Sequence, residues 1–253
     1  MFKIGDIVTR KKYGNDILFK IDKIEGKKVF LKGLDIRLYA DTLIDDLSLH
    51  GIPKKKEEIK ELRNLETDTF FYIPGSVLHI DADEEYLKKC EEYYKNQKIK
   101  IYGYTFKEED MKNHIEKLIK KHNPNILVIT GHDAYFKKKK NNENYKNSKH
   151  YINAVKEARN IIKEHEKLII IAGACQSDYE NLIKSGSTFA SSPKHINIHA
   201  LDPAIIASYI AKTSNQETIN IEDVLEKTHY GKEGIGGIIT KGAMLVGYPR
   251  KGE

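Results

Sequence analysis

The sequence has few cysteines and no long apolar run, and both shortages narrow the class of protein. Its 253 residues include two cysteines, Cys90 and Cys175. Two thiols exclude a disulfide framework and are too few for a structural zinc site made of cysteines. No apolar stretch approaches the roughly 20 residues that a bilayer span requires, and the first residues lack the pattern of a signal peptide. We therefore expect an intracellular protein without a membrane partner.

The composition is that of a globular protein with a modest positive charge. Hydrophobic residues make up 40% of the chain and charged residues 32%, which is typical of soluble domains and not of disordered chains. The formal net charge of +6 indicates an anionic surface or nucleic acid as a partner only weakly. The lysine run at 137–140 has no aromatic platform or glycine pattern beside it, so we interpret it as a solvated loop. Nucleic acid is not expected as a partner.

Two regions differ in the spacing of their apolar residues. Residues 3–47 contain short alternating runs separated by glycine-containing turns, a pattern that predicts a small meandering β-barrel of the SH3-like type over residues 1–50. We interpret this barrel as an interaction domain. Residues 51–67 are rich in charge and predict a linker that passes into a short helix. The remaining residues, 68–253, form the larger domain.

The larger domain alternates predicted strands with predicted helices. This alternation is typical of βαβ units, so the fold class is α/β, a mostly parallel sheet with helices on both faces. The glycine-punctuated apolar stretch at 234–247 predicts a hairpin. The predicted strands are 77–80, 99–103, 126–129, 168–171 and 187–190, and the predicted helices are about 84–96, 107–121, 148–165, 176–185 and 203–213.

Two segments carry the chemical signal. Each of 126–135 and 168–177 is a β-branched run that stops at glycine and then presents a reactive side chain, His132 in the first and Cys175 in the second. Parallel strands deliver functional groups at their carboxyl ends, so neighbouring strands would bring a thiol and an imidazole to one edge. The imidazole and a helix that begins near Gln176 would both favour the thiolate. The pair predicts a nucleophile and its base.

A thiol nucleophile with an imidazole base would be able to cleave a peptide bond. The small residues Gly173 and Ala174 let a substrate approach Cys175 closely. His132 would protonate the leaving amine, and the backbone N–H of Cys175 would donate to the oxyanion.

The remaining cysteine and histidines have simpler interpretations. Cys90, on a predicted helix, is interpreted as a small buried hydrophobic residue. His195 and His199 are four residues apart and could share a metal only on a helix, whereas Pro193 and the β-branched neighbours predict an extended segment. No metal and no cofactor are expected. The other histidines are interpreted as structural or surface residues: His79, His114, His122, His150, His165 and His229.

Six segments of the chain share a pattern with a known family: 2–10, 31–41, 77–83, 128–135, 171–177 and 187–203. Together they resemble the YabG family of sporulation-specific proteases. The resemblance implies a cysteine endopeptidase that processes spore-coat and related spore proteins and cleaves after basic residues. It places the catalytic pair on His132 and Cys175, and the protein in the cytoplasm of the sporulating cell or at the spore coat.

The order of a strand with histidine and then a strand with Ala-Cys is also similar to the caspase, gingipain and separase group of cysteine peptidases. That group usually has glycine after the histidine, whereas this chain has Asp133, whose backbone N–H is the second expected oxyanion donor. The resemblance implies a specificity pocket with an acid that pairs with an arginine side chain. The matching positions are Asp81, Asp83, Gly173, Ser191 and Ser192.

Other interpretations remain open on the residues alone. Asp83 is equally suited to cap the helix that begins at Glu84. A non-catalytic α/β module could use Asp81 and Asp83 to hold a ligand or a divalent ion. An adaptor for nucleic acid or coat assembly could use the basic N-terminal barrel. The sequence specifies no oligomeric state.

Overall fold

The computed structural model describes residues 2–51, 69–137 and 144–249. The chain divides into two compact units, Met1–Ile59 and Lys60–Glu253. Apart from Gly51, the predicted linker and helix at 51–67 lie outside the described residues, as do 138–140 of the predicted lysine loop. No helix among the described ranges combines the length and the apolar character that a membrane crossing requires.

The first unit is an antiparallel sheet with strand order β4-β3-β2-β1-β5. Six buried hydrophobic residues form the core of its described part, and Phe19 is the largest of them. The predicted β character is correct, but the described strands form an open sheet and not a closed barrel, with the five-residue β4 and the three-residue β5 at its edges. The strands are β1 (Ile7–Arg10), β2 (Phe19–Glu25), β3 (Lys28–Gly33), β4 (Tyr39–Leu43) and β5 (Leu47–Leu49).

The second unit confirms the predicted α/β class. Its main sheet has the order β12-β11-β10-β9-β7-β8. Neighbouring strands pair in parallel from β11 to β8, whereas β12 pairs with β11 in the antiparallel direction. The strands are β6 (Phe71–Ile73), β7 (Val77–Asp81), β8 (Ile101–Thr105), β9 (Ile126–Thr130), β10 (Ile169–Ala172), β11 (Phe189–Ser191), β12 (Ile235–Gly237) and β13 (Leu245–Gly247), and the helices are α1 (Glu84–Asn96), α2 (Met111–His122), α3 (Ser148–Ile161), α4 (Tyr179–Lys184), α5 (Asp202–Ala211), α6 (Ile221–Leu225) and α7 (Gly231–Gly234).

The central strands are covered on both faces. Every residue of β7, β9 and β10 is buried. Successive side chains of a strand point to opposite faces, so Val128 joins a cluster with α1 and α5, whereas Leu127 and Ile129 join a cluster with α2 and α3. This double burial explains why the strands appear in the sequence as continuous apolar runs and not as alternating ones.

Most predicted elements appear within a few residues of their expected bounds, but the hairpin at 234–247 is wrong. Strand β12 pairs with β11, and β13 pairs with β6, so the two strands have different partners. The glycines there serve close approach and not a tight turn: a side chain at Gly237 would collide with the ring of Phe189. Sequence spacing cannot distinguish these two uses of glycine.

The register of the parallel strands defines one functional edge. Asp81 at the end of β7 lies opposite Thr130 at the end of β9, and Ile129 lies opposite Ala172 at the end of β10. The segments that follow these strands therefore emerge side by side, at the edge where open α/β sheets bind ligands.

A truncated chain that starts at about residue 65 should fold, because both hydrophobic clusters of the second unit use residues from Val77 to Ala243. We expect a single cooperative thermal transition by circular dichroism, with a Tm close to that of the larger transition of the full chain. A gradual transition, or a Tm lower by more than about 10 °C, would show that the second unit depends on the first.

Candidate active site

The sheet order places both predicted reactive side chains at the functional edge. Strand β9 lies between β7 and β10 and is hydrogen-bonded to both. His132 follows β9 by two residues, and Cys175 follows β10 by three. The condition on which the predicted pair depended, that their strands are neighbours, is therefore met. The catalytic roles themselves remain predictions.

Cys175 is fully buried and its sulfur is held by backbone groups. Its Sγ accepts a hydrogen bond from the backbone N–H of Ile198 at 3.2 Å and lies 3.8 Å from the carbonyl oxygen of the same residue. The predicted helix start near Gln176 is wrong, because Asp178 caps α4 and the helix begins only at Tyr179. Backbone groups of Ile198, and not a helix end directly after the residue, are therefore the local partners of the sulfur.

The segment Ser192–Ile198, between β11 and α5, lies against Cys175 and is here named the strap. The strap is held by backbone and side-chain hydrogen bonds: Gln176 N–H donates to the Ile196 carbonyl at 3.0 Å, and the Ser192 hydroxyl donates to the same carbonyl at 2.7 Å. Ser192 and His195 both have left-handed backbone conformations, with φ of 69° and 52°. Such conformations are strained for residues other than glycine and concentrate at functional sites.

His132 is fixed through its ring and through its backbone. The ring Nε2 lies 3.1 Å from Oδ2 of Asp83. The backbone carbonyl of His132 accepts hydrogen bonds from the side chain of Asn147 at 2.7 Å and from the hydroxyl of Tyr151 at 3.0 Å. The His132 side chain is 15% exposed, so the imidazole is largely enclosed and retains a path to solvent.

Asp83 links this histidine to the start of α1. Its Oδ1 accepts hydrogen bonds from the backbone N–H groups of Glu85 and Tyr86, so the capping role that the sequence left open is present. Its Oδ2 faces His132. The positive end of α1 stabilises the carboxylate, and the carboxylate fixes the ring. The sequence resemblance implies a place for Asp83 in a specificity pocket and gives no signal of its contact with His132, although both residues follow strands that the register makes adjacent.

Asp81 belongs to a buried network below this pair. Its Oδ1 accepts from the backbone N–H of Asp83 at 3.0 Å, and its Oδ2 accepts from the hydroxyl of Thr130 at 2.9 Å. His79 lies 2.9 Å from the same hydroxyl. Asp81 and His79 are fully buried. The network holds the turn that carries Asp83, and both carboxylate oxygens of Asp81 already accept hydrogen bonds from within the protein.

Asp133 ties the segment after His132 to the segment after Cys175. Its Oδ1 accepts from the backbone N–H of Asn147 at 2.7 Å, and its Oδ2 accepts from the hydroxyls of Ser148 and Ser177. Burial raises the pKa of this carboxyl group, against the opposing effect of those hydrogen bonds. Asp133 and Cys175 both lie at the functional edge, and their backbone oxyanion roles remain predictions.

The small residues predicted for the specificity pocket occupy the neighbouring strand ends. Gly173 has a φ of 107°, and a side chain there would lie 3.2 Å from the Cβ of Ser191. Ser191 ends β11, and its buried hydroxyl has no hydrogen-bond partner within the described part of the chain. Ser192 uses its hydroxyl to brace the strap. Gly173 and Ser191 are thus brought together, whereas Asp81 and Asp83 lie with His132.

His195 and His199, the pair considered for a metal in the sequence, stack on different aromatic rings. The ring of His195 stacks on Tyr135 with 5.0 Å between ring centroids. His199 instead stacks on His229 at 3.5 Å, beside the buried carboxylate of Asp202. Sequence spacing gave no signal for the second arrangement, because His229 lies 30 residues along the chain from His199.

A cavity of about 500 Å³ lies away from this edge. Asn125, which directly precedes β9, contributes to its lining together with Ile162 and Leu245. Its lining includes none of the predicted site residues, and it borders the amino end of β9, where open α/β sheets do not usually bind substrates. The cavity therefore does not mark the predicted site.

Comparison with known proteins decides the family. The model of the YabG peptidase U57 family matches residues 3–66 and 52–249. The chain belongs to this family. The protein named sporulation-specific protease YabG from Bacillus subtilis (strain 168) is 41% identical over 286 aligned residues, which cover 99% of this chain and 99% of that protein. The resemblance found in the sequence is confirmed, and the YabG family is a family of peptidases. No solved structure matches the chain.

Replacement of Asp133 by alanine should destabilise the protein strongly. The change leaves buried N–H and hydroxyl donors without their acceptor, and we expect the free energy of unfolding to fall by about 3 kcal/mol or more. Urea unfolding followed by fluorescence measures the change. Asp178→Ala is the matched control, because it removes a more exposed carboxylate that caps α4, at a cost of about 1 kcal/mol. Equal losses in the two variants would contradict the tying role of Asp133.

Proposed function

We propose that the chain is a sporulation-specific cysteine endopeptidase whose nucleophile is Cys175 and whose acid–base group is His132. The position of both residues after neighbouring parallel strands, with His132 oriented by Asp83, is the observation that carries the proposal. Membership of the YabG family supports a peptidase of sporulating cells. The same strand arrangement supports the proposed similarity to the caspase-like group of cysteine peptidases.

The reaction proceeds through an acyl-enzyme. The thiolate of Cys175 attacks the scissile carbonyl carbon, and the backbone N–H groups of Cys175 and Asp133 donate to the oxyanion. Protonated His132 transfers its proton to the amine of the departing peptide as the C–N bond breaks. A water molecule then gives a proton to neutral His132 and attacks the thioester carbonyl, and cleavage of the C–S bond releases the acid product and regenerates the thiolate beside protonated His132.

Asp83 acts in this scheme as a positioning residue. Its Oδ2 engages Nε2 of His132, so Nδ1 is the ring atom assigned to proton exchange with the substrate and the thiol. The carboxylate also holds the imidazole in the orientation from which it donates to the leaving group. Because Oδ1 of Asp83 caps α1, the position of the imidazole is coupled to a regular helix and not to a loop.

Access of a substrate to Cys175 requires movement of the strap. The sulfur is fully buried and held by the backbone of Ile198, so a peptide carbonyl reaches it only when that contact opens. The strained residues Ser192 and His195 give the strap conformations that can relax on opening. Loop movements of this kind commonly complete or uncover an active site.

The proposed substrates are spore-coat and related spore proteins that are cleaved after basic residues, within the sporulating cell or at the coat. The small residues Gly173, Ser191 and Ser192 are proposed to line the specificity pocket, and the first unit to recruit substrates. Asp81 and Asp83 were the expected pocket acids. The geometry favours Asp83 as the residue that orients His132, and the internal hydrogen bonds of Asp81 and Asp83 reduce the support for the alternative of a non-catalytic ligand-binding module.

Cys175→Ala should abolish cleavage, and His132→Ala should lower kcat/KM by several orders of magnitude, because the thiolate and the proton donor act as a unit. Mass spectrometry of cleaved arginine-containing peptides measures both effects. Cys90→Ala is the matched control, because Cys90 is equally buried but lies on α1, and it should retain wild-type turnover. Wild-type turnover by folded Cys175→Ala would exclude the proposed nucleophile.

Asp83→Asn separates orientation from specificity. Asparagine is an equally good helix cap, so the fold should persist, whereas loss of the charge beside His132 should lower kcat by about 100-fold or more. The expected decrease is the same for peptides with arginine, lysine or a neutral residue before the cleaved bond. Asp178→Asn, at another helix cap, is the control for general effects on the fold.

The opposite result would assign Asp83 to the specificity pocket and not to the orientation of His132. In that case Asp83→Asn would remove the preference for arginine while kcat for neutral peptides stayed unchanged. Asp81→Asn, measured in parallel, tests the second expected pocket acid through the same ratio of kcat/KM values.

A further inference from the structure

We propose that His199, Asp202 and His229 form a binding site for one divalent transition metal ion of the zinc type. The three residues come from three segments: His199 follows the strap, Asp202 begins α5, and His229 follows α6. A ligand atom from each residue lies within 4.8 Å of the ligand atoms of the other two. The site is separate from the catalytic pair, and its existence does not depend on the proposed function.

The ring nitrogens are directed toward the carboxylate. Nδ1 of His229 lies 2.7 Å from Oδ1 of Asp202. Nδ1 of His199 accepts a hydrogen bond from the backbone N–H of Leu201 at 3.2 Å. The lone pair of this nitrogen therefore points toward the start of α5, where Asp202 lies. A metal ion would displace the proton that His229 and Asp202 share and would compete with the Leu201 N–H for His199.

Binding of one ion requires the two imidazole rings to turn relative to each other. Zinc bonds to nitrogen and oxygen are about 2.0–2.2 Å long, which separates neighbouring ligand atoms of a tetrahedral site by about 3.3 Å. The two rings lie 3.5 Å apart between centroids, with 18° between their planes, whereas a bound ion lies close to the plane of each ring that binds it. At least one ring must therefore rotate out of the stack, and the exposed side chain of His229 has the room to do so.

The carboxylate of Asp202 gives an independent reason to expect a cation. Asp202 is fully buried. Its Oδ1 accepts a hydrogen bond from the backbone N–H of His229 and also faces Nδ1 of the His229 ring. Its Oδ2 is also buried and accepts no hydrogen bond within the described part of the chain. A buried carboxylate oxygen without a partner is costly, and a cation removes that cost.

The donor set selects the ion. Two imidazoles and one carboxylate suit zinc and similar borderline ions, whereas calcium and magnesium prefer sets of oxygen ligands. The side chain of His229 is 43% exposed, so an ion can enter from solvent. Three protein ligands leave a fourth position for water, as in exchangeable zinc sites and unlike closed structural ones.

Titration with Zn²⁺ against a chromophoric chelator tests the proposal on the full-length protein. We expect one ion per chain in the wild type and in Cys175→Ala, since the ion does not use the nucleophile. His229→Gln removes a partly exposed ligand without disturbing the core and should weaken binding by about 100-fold or more. His199→Ala and Asp202→Asn should do the same, and circular dichroism verifies that each variant is folded.

His195→Ala is the matched control, because His195 lies on the strap but stacks on Tyr135, and it should bind as the wild type does. With Co²⁺ in place of Zn²⁺, the visible absorption of a tetrahedral site with nitrogen and oxygen ligands should appear, and it should disappear in His229→Gln. The proposal is overturned if the wild type binds no ion at micromolar concentration, if His229→Gln retains the wild-type affinity, or if a thiolate-to-cobalt band shows that the ion sits on Cys175. The first two outcomes leave the proposed role of Cys175 untouched, because neither involves Cys175 or His132.

Discussion

The pairing of β9 with β7 on one side and β10 on the other is the constraint on which the site depends. Three buried parallel strands end in register, so the segments that follow them share one edge. Asp83 follows β7, His132 follows β9 and Cys175 follows β10. These residues are separated by up to 92 positions in the chain. The hydrophobic burial of both sheet faces keeps the ends of these strands rigid. His132 and Cys175 can therefore be positioned by the loops that follow the strands.

At that edge, Asp83 connects the start of α1 to the side chain of His132. One oxygen fixes the first turn of α1 and the other fixes the imidazole of His132. Asp81 and Thr130 hold the turn below it through a network without solvent exposure. Active sites that tolerate little displacement are commonly supported in this way, by a second set of residues whose own positions are already determined.

The sequence predicted the fold well where local pattern and burial agree. The continuous apolar runs of β7, β9 and β10 could be assigned because each is bounded by polar residues or glycine. The candidate residues His132 and Cys175 could be placed at the ends of β9 and β10 for the same reason, since Gly131 and Gly173 end the two apolar runs just before them. The start of α4 was placed too early because the cap of Asp178, and not the end of the strand, sets it.

Contacts that depend on tertiary structure could not be predicted. The strap covers Cys175 through backbone groups of Ile198, which carry no side-chain signature. The meeting of His199 with His229 depends on the path of the chain through α5 and α6, and the four-residue spacing to His195 pointed elsewhere. Gly236 and Gly237 indicated a turn but mark close contacts with Tyr179 and Phe189, because the sequence does not reveal what faces a glycine.

Burial of Cys175 under the strap has an energetic consequence for the proposed reaction. In that reaction, part of the free energy with which a substrate binds separates Ile198 from the sulfur, so turnover depends on contacts made away from the cleaved bond. A protein chain that offers such contacts drives the opening, whereas a small electrophile makes too few of them. With the strap in place, the sulfur of Cys175 presents no exposed surface to small oxidants or alkylating agents.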